Sequence, residues 1–229
     1  MAAPGRKASA IGIEGAFVRP LVVNRDGRGS FTEAYCEHWR LGIRPAQWSV
    51  VESGARVLRG MYCHRRHEEY VCVLRGRAEV GLLDLRRDSP SVGRATMLTL
   101  TGGEMTCIVF PRGVLHGWYF PEPSLHLQAV SESYRDYEAD DNLGCHWADP
   151  GLGLRWSDPE PILSPRCAGL GTLDALLGEL DGQSPASRRS SARTPTTSTP
   201  SAAVVRGGGP PARWVTKARS SRRRAGSSG

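Results

Sequence analysis

Between residues 14 and 130 the apolar positions fall into short runs separated by turn chemistry, and no long helical period interrupts them. AFVRPLVV precedes NRDGRGS, YVCVLRGRAEVGLLDL carries Arg75-Gly76 within it, ATMLTL precedes TGGE, and MTCIVF precedes PRG. β-Branched and aromatic runs spaced about ten residues apart and punctuated by Gly predict the short strands of an all-β sandwich or barrel. In EVGLLDL, Val80, Leu82 and Asp84 share one face of a strand and Gly81, Leu83 and Leu85 the other, so at least one face is buried. After residue 131 the texture turns polar, aromatic and turn-rich, as expected of a segment that wraps the barrel. At 172–181, TLDALLGELD sets Leu173, Leu176, Leu177 and Leu180 at i, i+3, i+4 and i+7, which predicts a short packing helix with Thr172 as N-cap and Gly182 after its end.

Composition divides the chain. Its 229 residues, 39% of them hydrophobic, suffice for one sizeable core. Residues 183–229 are rich in Ser, Thr, Pro, Gly and Arg, a composition that cannot bury enough surface to offset ordering entropy and predicts a disordered basic tail. Ten of the 30 Lys and Arg residues lie there and none of the 23 Asp and Glu, so residues 1–182 carry a net charge of −3. The overall charge of +7 is therefore no argument for a nucleic-acid partner. The expected organisation is a flexible lead at 1–10, one domain at 11–182 and the tail at 183–229. The six cysteines form no C-x-x-C pair, which points to reduced thiols in a cytoplasmic protein. No apolar stretch reaches the ~18 residues of a membrane span, and the first residues hold no run of signal length.

Several phrases then converge: DGRGSFTE at 26–33, Gln47 twelve residues before Arg59, VLRG at 57–60, DLRRDSPSVG at 84–93, FPRGVLHGW at 110–118, WADPGLGLRW at 147–156 and PILS at 161–164. In order and spacing they resemble the dTDP-4-dehydrorhamnose 3,5-epimerase family, dimeric jelly rolls of the cupin superfamily, over roughly residues 12 to 167. The resemblance implies a cofactor-independent homodimeric enzyme that enolises a dTDP-4-keto-6-deoxy sugar at C3 and C5 in deoxysugar biosynthesis. It also implies that Arg28, Phe31, Glu33, Gln47 and Arg59 hold the thymidine and diphosphate, that His116 is a second active-site histidine, and that Tyr137 is the general acid, with Tyr134 as the alternative register. A diphosphate suits the bidentate guanidinium donors of Arg28 and Arg59.

The departures fall at the chemistry. Where the family carries its basic histidine this chain has Tyr62; the partner aspartate is replaced by Cys167 and a lysine by Glu69. Tyrosine titrates near 10 against about 6.5 for histidine, so Tyr62 is a poor base at neutral pH. Tyr62 and His64 stand at i and i+2 of a strand and share its inward face, with Cys63 turned away. His64-x4-Glu69-x6-Gly76, with Pro111-x-Gly113-x2-His116, resembles the metal-binding motifs of the wider cupin superfamily. His64, Glu69 and His116 are thus candidate ligands for a divalent metal that could stabilise an enolate. His67 and Glu68 read as loop or edge residues without a role. Three readings stay open: an epimerase-type enzyme with Tyr62, His64, His116 and Tyr137 at the chemistry, a metal-dependent cupin enzyme, and a noncatalytic nucleotide-sugar-binding relative.

Overall fold

A computed structural model describes residues 8–137 and 141–182; the tail expected at 183–229 lies outside the described residues. Along the chain run β1 (Ser9–Ala10), β2 (Phe17–Pro20), β3 (Val23–Asp26), β4 (Gly29–Thr32), β5 (Gln47–Ser53), β6 (Val57–Cys63), β7 (Glu69–Arg75) and β8 (Arg77–Asp84). They are followed by β9 (Ala95–Thr101), β10 (Thr106–Phe110), β11 (Val114–Phe120), β12 (Ser124–Val130), α1 (Tyr134–Tyr137), β13 (Leu143–Gly144), α2 (Pro165–Ala168) and α3 (Leu173–Gly182). Ser9 and Ala10, within the stretch expected as a flexible lead, pair with Val18 and Phe17.

Two antiparallel sheets make an all-β jelly roll. One has the order β1-β2-β10-β7-β12-β5 and the other β13-β6-β11-β8-β9, while β3 and β4 form a separate hairpin. Between the sheets Val71, Val73, Ile108 and Phe110 meet Val80, Leu82, Trp118 and Phe120. Each sheet is also covered on its outer face. Tyr70, Cys72 and Val109 pack under Leu41 and Ile43, and Met61, Cys63, Leu83 and Leu115 pack under Leu152, Leu173 and Leu176. Burial on both faces explains why β8 and β11 read as nearly continuous apolar runs rather than as alternation. Gly81 lies where an added Cβ would meet the Trp156 ring at 2.8 Å, so the outer cover comes this close only over glycine.

The helix from Leu173 buries Leu173 and Leu176, and Thr172 Oγ1 accepts from Ala175 N at 3.2 Å, as its N-cap should. Gly182 is the last helical residue rather than the one after it.

Candidate active site

Because strand side chains alternate, the inward positions of β6, β7, β11 and β12 form rows, and at one end of the sandwich these rows turn from apolar to polar. There they enclose a cavity of about 370 Å³ lined by Arg59, Tyr62, His64, Glu69, His116, His126, Gln128, Tyr137 and Cys167, with Trp118 and Ser164 among its other walls. His116 is registered opposite Tyr62, and the register slips between His116 and Gly117, whose partners on β6 are Tyr62 and Gly60. This bulge is what sets Tyr62 into the cavity. It requires close backbone approach, since a Cβ at Gly60 (φ +121°) would stand 2.6 Å from Gly117 Cα.

Glu69 is the centre of the polar end. It is 1% exposed, and its Oε1 lies 3.0 Å from His64 Nε2, 3.6 Å from His116 Nε2 and 3.7 Å from His67 Nε2, while Gln128 donates to Oε2 at 3.0 Å. Burial pushes the Glu69 carboxyl up, but the surrounding imidazoles outweigh it and hold the group well below its usual range. Burial pushes His116 down to about 4, so its ring is neutral. His67 is the correction to the sequence reading: it is a core residue of the site, 1% exposed, its ring stacked between His64 (4.1 Å) and Tyr137 (4.3 Å). Burial opposes its charge, yet the Asp141 and Glu69 carboxylates prevail and raise it to about 9. Neither ring nitrogen makes a well-directed hydrogen bond, so this attraction is charge across 3.1 Å to Asp141 and 3.7 Å to Glu69. Glu68, by contrast, is half-buried and meets Ser131.

Tyr62 and Cys167 form a second pair. Tyr62 Oη lies 3.1 Å from Cys167 Sγ, which also accepts from Ser164 Oγ at 3.1 Å, and the Arg166 guanidinium sits 5.3 Å over the tyrosine ring. Burial and the Cys167 contact push Tyr62 up to about 12, keeping it protonated. For Cys167, burial would raise the thiol, but the hydrogen bonds from Ser164 and Tyr62 win and lower it. Tyr137 is buried and lines the cavity, whereas Tyr134 is 52% exposed; burial and the Glu69 charge lift Tyr137 to about 12.

The substrate-binding set separates. Arg59 lines the cavity; Arg28 and Phe31 stand on the exposed β3–β4 hairpin, where Arg28 pairs with Asp26 at 2.6 Å. Gln47 accepts from Tyr134 N at 2.9 Å, and neither it nor Glu33 lines the cavity. Sequence reasoning missed His126, which is 1% exposed with no hydrogen-bond partner for Nδ1; the alternation Leu125-His126-Leu127-Gln128 on β12 was the available signal.

A family model described as dTDP-4-dehydrorhamnose 3,5-epimerase matches residues 10–174. The chain belongs to this family of sugar-nucleotide epimerases. The spore coat polysaccharide biosynthesis protein SpsL of Bacillus subtilis is 26% identical over 146 residues, 59% of this chain and 96% of its own. A probable low-salt glycan biosynthesis epimerase of Haloferax volcanii is 30% identical over 131 residues, 54% of this chain and 81% of its own. Among solved structures, ChmJ, a 3'-monoepimerase from Streptomyces bikiniensis in complex with dTDP-quinovose, is similar with a TM-score of 0.66 at 26% identity, covering 74% of this chain and 88% of that one. Tyr62, Glu69 and Cys167, the three positions that the sequence reading singled out, line one cavity together. Among the described residues no helix is long and apolar enough to cross a membrane.

Proposed function

We propose that the protein enolises a dTDP-4-keto-6-deoxy sugar, as the dTDP-sugar epimerase family does, with the proton moved by the Tyr62–Cys167 pair in place of an imidazole base. The observation that carries this is the 3.1 Å contact between Tyr62 Oη and Cys167 Sγ on the wall of the cavity. The 4-ketone acidifies the hydrogens on its neighbouring carbons, so the chain must supply a base, a stabiliser for the enolate oxygen and an acid. Cys167, its titration lowered by two hydroxyl donors, is the better base of the pair and takes the carbon-bound proton as its thiolate, becoming the thiol, while Tyr62, protonated, orients it. His64 and His116 border the place of the ketone oxygen, and Tyr137, also protonated, returns a proton from another wall.

The cavity has room for a hexose but not for the nucleotide, which lies across the mouth with its diphosphate on Arg59. Arg28, Phe31, Glu33 and Gln47 reach it in a homodimer, where the hairpin of a partner copy covers the mouth; the 66% exposure of Phe31 in the single chain supports that arrangement. Six free cysteines fit a cytoplasmic enzyme. The test is to incubate the protein with dTDP-4-keto-6-deoxyglucose, reduce the ketone with borohydride and identify the sugars. An added C3 epimer is expected; recovery of the starting configuration alone, from protein that binds dTDP, would leave the noncatalytic reading.

A further inference from the structure

We propose that His126 is a specificity-determining residue, which selects the sugar by hydrogen-bonding the hydroxyl on C2 of the hexose. The inference rests on the nucleotide-sugar reading of the cavity, and neither the family match nor the relatives assign this residue a role.

His126 is a polar side chain in apolar company. It stands on β12 opposite Val51 of β5 and Val73 of β7, and its ring stacks on Phe120 with centroids 5.3 Å apart and planes 10° apart. It is 1% exposed, and its Nδ1 has no hydrogen-bond partner among the described residues. A leucine would meet the same neighbours, so packing gives no reason for an imidazole here, and a buried nitrogen left without a partner costs stability. The ring lines the reaction cavity, so a ligand seated there is able to satisfy it. A few placed polar groups on an otherwise apolar wall are what orient a ligand and give a cavity its specificity.

The place of the ring selects the group it meets. His126 is registered with Val73, four residues along β7 from Glu69, and so lies away from the end where His64 and His116 border the ketone oxygen. Burial, with the Arg59 charge next, pushes the ring down to about 4, so it is neutral and has the guanidinium for a neighbour. With the diphosphate on Arg59 and C3 at the Tyr62–Cys167 pair, the stretch between them holds C1 and C2. Of the two ring atoms bonded to C1, one is the ring oxygen and the other, C2, carries a hydroxyl. A hydroxyl both donates and accepts, and it therefore pairs with either tautomer of a neutral imidazole. A sugar without it leaves the buried ring unpaired, and sites built this way reject such an analogue.

The test is calorimetry with dTDP, dTDP-glucose and dTDP-2-deoxyglucose, none of which has a 4-ketone to react. Wild type should bind dTDP-glucose about 10- to 100-fold more tightly than the 2-deoxy compound. His126→Leu should bind the two alike and keep its dTDP affinity within about twofold of wild type, whereas His126→Gln, with a donor and an acceptor, should retain part of the preference. Equal binding of the two sugars by wild type that binds dTDP, or a preference that survives in His126→Leu, overturns this inference alone. Wild type that binds none of the three overturns it together with the nucleotide-sugar reading. If His126→Leu does not fold, NMR of wild type labelled with ¹⁵N-histidine decides: dTDP-glucose should move the His126 ring nitrogens beyond the shift that dTDP gives and dTDP-2-deoxyglucose should not, and identical spectra with the two sugars overturn the inference.

Discussion

Arg59→Ala isolates the nucleotide-binding half of the account. Arg59 stands on β6 at the cavity wall, with Nε donating to Ser53 Oγ at 2.9 Å and Nη2 to Glu52 O at 3.1 Å. Ser53 is 2% exposed, so the guanidinium is braced against a fixed acceptor before any ligand arrives. Of its five N–H donors two are spent this way and three remain for a diphosphate. Hydrogen bonds to charged groups contribute about 1.5 to 3 kcal/mol net, and a braced side chain loses little rotamer freedom on binding. Removing Arg59 should therefore weaken dTDP about 10- to 150-fold in calorimetry. Arg59→Lys keeps the charge without the planar fork and should recover only part of the loss. The side chain is exposed at its tip, so the melting temperature should stay put. A dTDP affinity changed by less than about twofold would show that the diphosphate does not reach this wall.

Two further outcomes follow from the same structure. Asp84, fully buried, accepts from Arg86 Nε and Nη2 at 2.8 Å and from Ser89 and Ser91 at 2.6 Å, and although burial would raise it, these donors hold it at about 2 against an ordinary 3.8. A depressed folded value means stability present above pH ~4 and lost toward pH ~2, so Asp84→Asn should cost about 2 kcal/mol in urea unfolding at pH 7 and much less at pH ~2.5; an equal cost at both would refute the linkage. Tyr62→His combined with Cys167→Asp installs the histidine–aspartate pair that the sequence resemblance implies for these positions and should raise solvent exchange into a 4-keto sugar by at least about tenfold; no gain in a folded, dTDP-binding variant would mean that Tyr62 and Cys167 do not hold the base position.

The jelly roll was legible because its strands carry β-branched runs bounded by Gly-rich turns, and helix Leu173–Gly182 because its leucines keep helical spacing. Tyr62 and His64 were legible as neighbours on one inward face because alternation fixes which face a strand residue occupies, and both line the cavity. His67 was not, since a loop between strands has no period; what buries it is Asp141, 74 positions on, whose carboxylate caps the loop through Arg65 N and Arg66 N. Cys167 could be seen as a departure but not as a partner, because its contact with Tyr62 joins residues 105 apart. The division of the substrate set between cavity and hairpin was hidden for the same reason, as sequence register says nothing of which residues share a wall.

The most direct test of the central claim is position-resolved deuterium uptake. Protein and dTDP-4-keto-6-deoxyglucose are incubated in heavy water, and the label at each sugar carbon is read by NMR for wild type and Cys167→Ser. The Tyr62–Cys167 pair occupies one part of the cavity wall and reaches one neighbour of the ketone, so deuterium should enter at C3 alone and fall about 100-fold or more in Cys167→Ser. Uptake at both C3 and C5 that the serine variant leaves unchanged would contradict the account, and would place the base on a residue other than this pair.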